Sequence, residues 1–265
     1  MLAVALMMVL PSLAAAGSIG GKVQLEGTTE PVAGMVVVLY KWDSDGVYWQ
    51  WQSSVETKAT GQFQFGNLAA GTYSLYFSNS WDEYEKYIEE FYKDVPQWAE
   101  SKRTNLELAE GQDLKVGSAK IKLRPFYVKE VVLEPGAIVP PSGGELTLKA
   151  TIINTTGKAA SLYFWGISGV FSLNKNDYYG LYSVFPIVDK FKAQLNPGEN
   201  VLDVPVTIKP GFSNGWTEIM LFGGTSYLQP ALPPIFAPFC KGTVEACASE
   251  ERPRNRRELF MPGNN

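Results

Sequence analysis

The most informative absence from this 265-residue sequence is that of histidine, which does not occur at all. A Ser–His–Asp or Cys–His nucleophilic system and a histidine metal site all need an imidazole, so the sequence excludes them. No G-x-S-x-G, C-x-x-C or phosphate-binding glycine loop occurs. Among the 27 acidic residues, no pair stands out as the two carboxylates of a glycoside hydrolase. We therefore predict that the protein is not an enzyme.

The sequence also lacks a large excess of charge of either sign. Lys and Arg total 23 against 27 Asp and Glu, which leaves a net charge of −4 and no strongly cationic region. Nucleic-acid binding, which needs a basic surface, is therefore not expected. Hydrophobic residues make up 45% of the chain, and 25 glycines, 17 prolines and 13% aromatic residues favour short strands joined by turns. The length suits two domains.

The N-terminal residues 1–16 (MLAVALMMVLPSLAAA) are apolar and end in small residues. They resemble the apolar region and cleavage site of a secretory signal peptide, and they are too short for a stable membrane span. The charged leading region is missing, because the first basic residue is Lys22. The alternative is a retained apolar segment that adds as a strand to a neighbouring subunit. Either interpretation predicts a secreted or cell-surface protein.

Residues 61–77 (GQFQFGNLAAGTYSLYF) show the clearest strand pattern. Phe63 and Phe65 alternate with glutamines, and alternation resumes after a Gly/Asn turn. Upstream, the β-branched residues 35–40 (MVVVLY) predict a buried strand, and a hairpin tip follows at residues 43–46 (DSDG).

Three runs carry a family resemblance: SIGGKVQL at residues 18–25, PVAGMVVVLY at 31–40 and GQFQFGNLAAGTY at 61–73. In this order they resemble the carboxypeptidase regulatory-like and Cna-B-like modules of secreted proteins. The resemblance covers most of residues 18–124 and implies a prealbumin-like β-sandwich without catalysis. Some Cna-B-like modules cross-link a Lys to an Asn through a nearby acid. Lys22 lies on the first strand, but no matching Asn or acid is identified, so this point stays open.

Residues 81–95 (WDEYEKYIEEFYKDV) depart from strand alternation. Trp81, Tyr84, Ile88 and Phe91 recur at helical spacing, and Pro96 would end a helix. We predict a short acidic helix or an ordered loop inserted near residues 81–95.

A second module is predicted to begin after Arg124. Residues 125–247 resemble the immunoglobulin-like adhesion-type domains of bacterial surface proteins, which implies a second β-sandwich. The residues that carry this resemblance are Gly144, Leu146, Asn154, Leu195, Pro197, Gly198 and Gly215. Four prolines in residues 228–239 predict an extended loop that ends in an edge strand. Residues 248–265 form a polar tail with few apolar residues. The predicted fold class is therefore all-β, with prealbumin-like and immunoglobulin-like β-sandwiches in tandem.

Few side chains suggest a site. Cys240 and Cys247 enclose six residues, and in an exported protein they predict a local disulfide. Asp43 and Asp45 offer oxygens to calcium, the only cofactor considered, although a plain hairpin turn is the favoured interpretation. Asn154 begins an N-T-T sequon that matters only in a host that glycosylates.

The tryptophan-rich hairpin is the last candidate. An exposed stacking platform for carbohydrate would place apolar rings side by side, whereas core packing would bury them, and burial is favoured. Three exposed coplanar rings would indicate sugar binding. The candidate residues are Trp42, Tyr48, Trp49 and Trp51.

The favoured functional interpretation is an exported, non-catalytic structural or adhesive protein of a cell surface or an extracellular assembly. Its expected partners are other protein subunits, including copies of itself, which would form a filament-type assembly by strand or tail exchange. The alternative is a carbohydrate-binding accessory module, with a polysaccharide as partner, that uses the aromatic cluster. A third interpretation is a fragment of a larger secreted hydrolase.

Overall fold

The computed structural model describes residues 15–45, 47–79, 85–171, 181–210, 215–226 and 229–249. Most of the apolar N-terminal segment and of the polar tail lie outside the described residues. The prediction of an all-β fold is confirmed. The chain divides into two compact units. The first draws on Met1–Ser78 and Glu89–Lys122, and the second on Asn79–Ile88 and Leu123–Asn265.

The described residues of the first unit form nine strands, arranged in two sheets, and one 3₁₀ helix. One sheet has the order β4-β1-β9, and the other has the order β3-β2-β5-β6-β7, with β8 also paired to β5. The elements are β1 (Gly17–Leu25), β2 (Val36–Asp43), β3 (Tyr48–Glu56), β4 (Gln62–Leu68), β5 (Gly71–Ser78), β6 (Glu90–Phe91), β7 (Val95–Pro96), the 3₁₀ helix (Gln97–Lys102), β8 (Leu106–Leu108) and β9 (Asp113–Ile121).

Alternation along these strands places apolar side chains between the two sheets. In β4, Phe63 and Phe65 are buried while the glutamines beside them are exposed. β2 contributes Val37 and Leu39 to the same interior. Ring contacts join the two layers, because Phe63 lies 6.1 Å from Phe77 of β5. The core of this unit is therefore the space between the β1 sheet and the β2–β5 pair.

In the second unit, the residues that the structure describes form eight strands in two sheets and one short helix. The sheet orders are β10-β12-β15 and β11-β17-β16-β13-β14. The elements are β10 (Phe126–Glu134), β11 (Ile138–Val139), β12 (Gly144–Asn154), β13 (Ala160–Phe171), β14 (Leu181–Leu195), β15 (Gly198–Ile208), β16 (Gly215–Ser226), β17 (Gln229–Lys241) and α1 (Val244–Ser249). One continuous cluster of buried residues fills this unit, including Leu148, Ile152, Phe164 and Leu221.

The stretch predicted as a short helix or an ordered loop is an ordered loop over residues 85–95, its described part, with the short strands β6 and β7 and no helix; Trp81 and Tyr84 lie outside the described residues. Phe91 pairs with Tyr76 of β5, and their rings lie 4.9 Å apart. Lys93 and Asp94 adopt positive φ angles and reverse the chain, so that β7 pairs back onto β6. Burial of Phe91 in a strand pair thus overrides the helical spacing, and the 3₁₀ helix begins only after Pro96.

The proline-rich stretch is also more regular than the sequence indicates. It forms most of β17, which pairs with β16 along its length. On its other side, β17 pairs with the two residues of β11, opposite Cys240 and Lys241, and no further pairing on that side is seen among the described residues. A proline lacks the N–H that a strand paired on both sides needs for its hydrogen bonds. Because most of β17 is paired on one side only, as in an edge strand, it tolerates prolines.

The described residues contain no helix long and apolar enough to cross a membrane.

Candidate functional site

The tryptophan-rich hairpin places its rings on both faces of the first unit's larger sheet. Trp42 pairs with Trp49 and Tyr40 with Trp51, so these four rings share one face. Tyr48 pairs with Asp43 and points to the opposite face. A bulge at Gln52 interrupts the register between these pairs and the rest of β3.

The predicted aromatic residues differ in exposure. Trp51 and Tyr48 are 55% and 51% exposed, whereas Trp42 and Trp49 are half-buried. The rings of Trp42 and Trp49 meet edge to face, with centroids 5.4 Å apart and an interplanar angle of 63°. Because the two exposed rings lie on opposite faces, the four residues do not form three exposed coplanar rings.

Arg103 lies over this face and was not identified from the sequence. Its guanidinium carbon is 4.4 Å from the ring centroid of Phe91, 5.0 Å from that of Trp49 and 5.2 Å from that of Tyr40. The side chain is 3% exposed and pairs with Glu100. A guanidinium over aromatic faces is attracted by their quadrupoles, and more strongly when water is excluded. Arg103 therefore fastens the end of the 3₁₀ helix to the sheet.

Burial changes the electrostatics at this position. It lowers the pKa of Arg103, while the neighbouring Glu100 opposes that change. It also raises the pKa of the Tyr40 phenol, against the pull of the Arg103 charge. The Nη1 of Arg103 has no hydrogen-bond partner among the described residues. No spacing in the sequence links Arg103 to Tyr40 or Phe91, so only the fold identifies this cluster.

Trp98 is the most exposed large apolar residue among those described, at 86%. It lies in the 3₁₀ helix, between Pro96 and Arg103. The sequence feature that could have indicated its exposure is a lone tryptophan in a polar run (QWAESK) that lacks strand alternation. Trp98 and Trp51 are therefore the two exposed indoles on the elements that border Arg103.

The hairpin tip forms a turn through its acids. Asp43 Oδ1 accepts a hydrogen bond from the Asp45 N–H at 2.9 Å, and Asp43 Oδ2 accepts one from Gln50 Nε2 at 2.6 Å. This arrangement is an Asx turn, in which the side chain of the first Asp holds the backbone. No group of three or more His, Cys, Asp or Glu side chains suited to a metal ion is found in the described ranges.

A buried carboxyl, that of Glu90, lies in β6. Burial raises the pKa of Glu90 to about 7, and the nearby Asp94 adds to the shift. Lys122 opposes it, and its Nζ lies 3.6 Å from Glu26 and 3.8 Å from Asp94. Two carboxyls that share a site cannot both ionise easily, so Glu90 holds a proton close to neutral pH.

Three further predicted site residues lie in the second unit. Cys240 and Cys247 form a disulfide that joins the end of β17 to α1. Asn154 is 2% exposed, and its Nδ2 donates to the carbonyls of Lys158 at 2.8 Å and Leu195 at 3.0 Å. The nitrogen that a glycan would occupy is thus engaged within the folded unit.

Among the described residues, the sheets in both units end in strands that pair on one side only. In the first unit these include β3, β4 and β9, and in the second β10, β14 and β15. β15 pairs with β12 over 11 residues without a register shift. Such edges present unpaired backbone donors and acceptors.

No family model and no curated protein matches this chain. Among solved structures, it is similar to a streptococcal ancillary pilin (12% identity, TM-score 0.32, 91% of this chain and 63% of that chain). It is also similar to the major pilin SpaD of Corynebacterium diphtheriae (10% identity, TM-score 0.32, 86% of this chain and 66% of that chain). A third similar structure is a DUF3823 family protein of Parabacteroides merdae (13% identity, TM-score 0.30, 86% of this chain and 99% of that chain). The chain spans less than two thirds of the streptococcal pilin. The prealbumin-like and immunoglobulin-like assignments stay predictions.

Proposed function

We propose that this protein is a non-catalytic structural or adhesive component of a cell surface or an extracellular assembly, in which copies join through sheet edges. The observation that carries the proposal is that, within the part of the chain that the structure describes, both units end their sheets in strands paired on one side only. An open edge either pairs with another strand or must be protected from doing so.

Two features support an exported location. The Cys240–Cys247 disulfide suits an oxidising compartment, because cytosolic thiols are kept reduced. The apolar residues 1–16 resemble a leader segment.

The test is self-association of the full chain. Sedimentation velocity over a wide range of concentrations, with negative-stain microscopy at the highest, should show dimers or larger assemblies that grow with concentration. A single monomeric species at every concentration would contradict the proposal. Labelling of intact source cells with an antibody against the folded protein tests the location, and labelling only after lysis would exclude the surface.

A second candidate function rests on Trp51 and Trp98. Both indoles are more than half exposed, and exposed indoles supply stacking area for sugar rings. In this case the protein is a polysaccharide-binding accessory module. Glycan-array binding should fall on Trp51→Ala and on Trp98→Ala. Val244→Ala, which removes an exposed apolar side chain of α1, is the control. Binding that both tryptophan variants leave intact would eliminate this candidate.

A further inference from the structure

Two edge strands of the second unit meet at the same border of its two sheets. β14 ends at Leu195 and β15 begins at Gly198, so a turn of Asn196 and Pro197 joins them, yet they belong to different sheets. β14 pairs with β13 and β15 pairs with β12, and no strand is seen on the other side of either among the described residues. This border therefore presents one open edge from each sheet.

The edge of β15 is regular and acidic. β15 pairs with β12 from Gly198 to Ile208 without a register shift, and Glu199, Val201 and Asp203 are exposed. Pro205 belongs to the same alternating set, and a proline within a ladder has to place its missing N–H on the free side of an edge strand. Because backbone groups alternate in direction along a strand, the N–H and C=O groups of Glu199, Val201 and Asp203 also point to the free side.

The edge of β14 carries a lysine and is regular over Phe191–Leu195. These residues pair with β13 without a shift, and a bulge precedes them. Phe191 and Ala193 pack against the core, while Lys192 and Gln194 are exposed. β14 and β15 run in opposite directions and expose their side chains on opposite outer faces. For L-residues these two reversals cancel, so the backbone groups of Lys192 and Gln194 point to the same free side as those of β15.

Neither edge suits pairing with its own counterpart in another copy. An antiparallel β15–β15 pair around Val201 places Glu199 opposite Asp203 twice, and a β14–β14 pair around Lys192 places that lysine opposite itself. Like charges that lie opposite each other destabilise a strand pair, and charged edge residues are a common protection against it. The acidic edge and the basic edge are instead complementary to each other.

We infer that the second units of two copies pair through this border, with β15 of each copy antiparallel to β14 of the other, around a twofold axis parallel to the strands. This inference rests on the proposed function and specifies its interface. Rotation about such an axis leaves the position of every residue along the axis unchanged. Lys192 and Val201 lie equally far from the turn, so each Val201 meets Lys192 of the other copy, and each Glu199 meets Gln194. The contact is isologous, so it closes as a dimer.

Lys192 is the central side chain of this contact. Opposite Val201, it lies diagonally between Glu199 and Asp203, and diagonal neighbours are within reach of a long side chain. Its aliphatic stem also covers Val201, which is 60% exposed in the single copy. Within its own copy, Lys192 Nζ lies 5.4 Å from the ring centroid of Tyr163, at the exposed face of the sheet. The proposed pairing therefore gives both the lysine and the exposed valine a partner.

A charge-reversal cycle tests the contact. Its variants are Lys192→Glu, Asp203→Lys and the two combined. In one copy these residues lie on the outer faces of different sheets, so one substitution can compensate for the other only across two copies. Asp203 is chosen because Glu199 already pairs with Lys129 at 2.6 Å. Lys58→Glu makes the same charge change at an exposed position of the first unit and is the matched control. Circular dichroism and thermal melting check that each variant folds.

Sedimentation of the full chain gives the outcome. Lys192→Glu should raise the dimer dissociation constant about tenfold, and Asp203→Lys should raise it less, because Glu199 remains. The combined variant should dimerise more tightly than Lys192→Glu alone, and Lys58→Glu should behave as the wild type. If Lys192→Glu has no effect on a wild type that associates, or if the combined variant is no tighter than Lys192→Glu, this interface is overturned and the proposed function stands. A wild type that stays monomeric throughout would overturn both.

Discussion

The side chain of Asn154 allows the sharpest test of the second unit's packing. It lies buried at the end of β12, and both ends of its amide are used. Nδ2 donates to the Lys158 and Leu195 carbonyls, while Oδ1 accepts from the Thr156 N–H at 3.0 Å and from its hydroxyl at 2.7 Å. The side chain therefore joins β12, the turn that follows it and the end of β14.

Asn154→Asp keeps the shape and removes both donors. Two carbonyl oxygens then lose their hydrogen bonds and face a carboxylate oxygen. A buried hydrogen bond contributes about 1 kcal/mol, and an unsatisfied buried acceptor costs about 1–3 kcal/mol, so we expect a loss of roughly 2–4 kcal/mol at pH 8. At acid pH the introduced Asp gains a proton and recovers one donor. Its pKa in the folded state is therefore raised, and the deficit should shrink as the pH falls.

The assay is urea unfolding of the full chain at pH 8 and pH 5, followed by tryptophan fluorescence. Asn105→Asp is the control, because it makes the same chemical change at an exposed position of the first unit. The transition of the second unit should shift in Asn154→Asp alone. A shift no larger than that of Asn105→Asp, or a deficit that grows at pH 5, would refute the reasoning.

Two further predictions concern buried charge in the first unit. The pKa of Glu90 is raised to about 7, so the stability that its protonation contributes is complete below its unfolded value of 4.5 and is lost as the pH rises through about 7. Glu90→Gln should therefore flatten the pH profile of urea unfolding and stabilise the protein by about 1–3 kcal/mol at pH 8. Glu30→Gln, at an exposed position, is the control and should do neither. If Glu90→Gln leaves the pH profile unchanged, the buried Glu90 carboxyl is not the source of the pH dependence. Arg103→Ala should cost about 3 kcal/mol and alter tryptophan fluorescence, because three rings lose the group they pack against. The exposed Lys102→Ala is its control, and equal effects of the two would refute a special role for Arg103.

Local pattern was sufficient for several elements. The run MVVVLY predicted a buried strand, and β2 occupies most of it. Alternation in residues 145–154 likewise matches β12, where every second residue is buried from Leu146 to Asn154. Both patterns repeat every two residues, so each can be identified without knowing which strand lies alongside.

Pattern was misleading where tertiary contacts compete with it. Tyr84, Ile88 and Phe91 are spaced as on a helix, yet Phe91 is held in a strand pair by Tyr76, which lies 15 residues earlier in the sequence. The prolines of β17 predicted an extended loop that ends in an edge strand, whereas the strand extends over Gln229–Lys241, because a strand with one largely unpaired side accepts prolines. The chain passes from the first unit to the second for the last time between Lys122 and Leu123, two residues before the predicted boundary after Arg124. The assignment of Asn79–Ile88 to the second unit was not predicted.

The sequence by itself determined the all-β class, the alternating strands and the absence of imidazole chemistry, because composition and two-residue periodicity are local properties. Only the tertiary structure decided that Arg103 lies among three rings, that Trp51 and Tyr48 point to opposite faces, and that β4 pairs on one side only. These features depend on pairing between segments far apart in the chain. This pairing is the one that gives the unit as a whole the most favourable free energy of apolar burial and backbone hydrogen bonding. No single segment therefore encodes it.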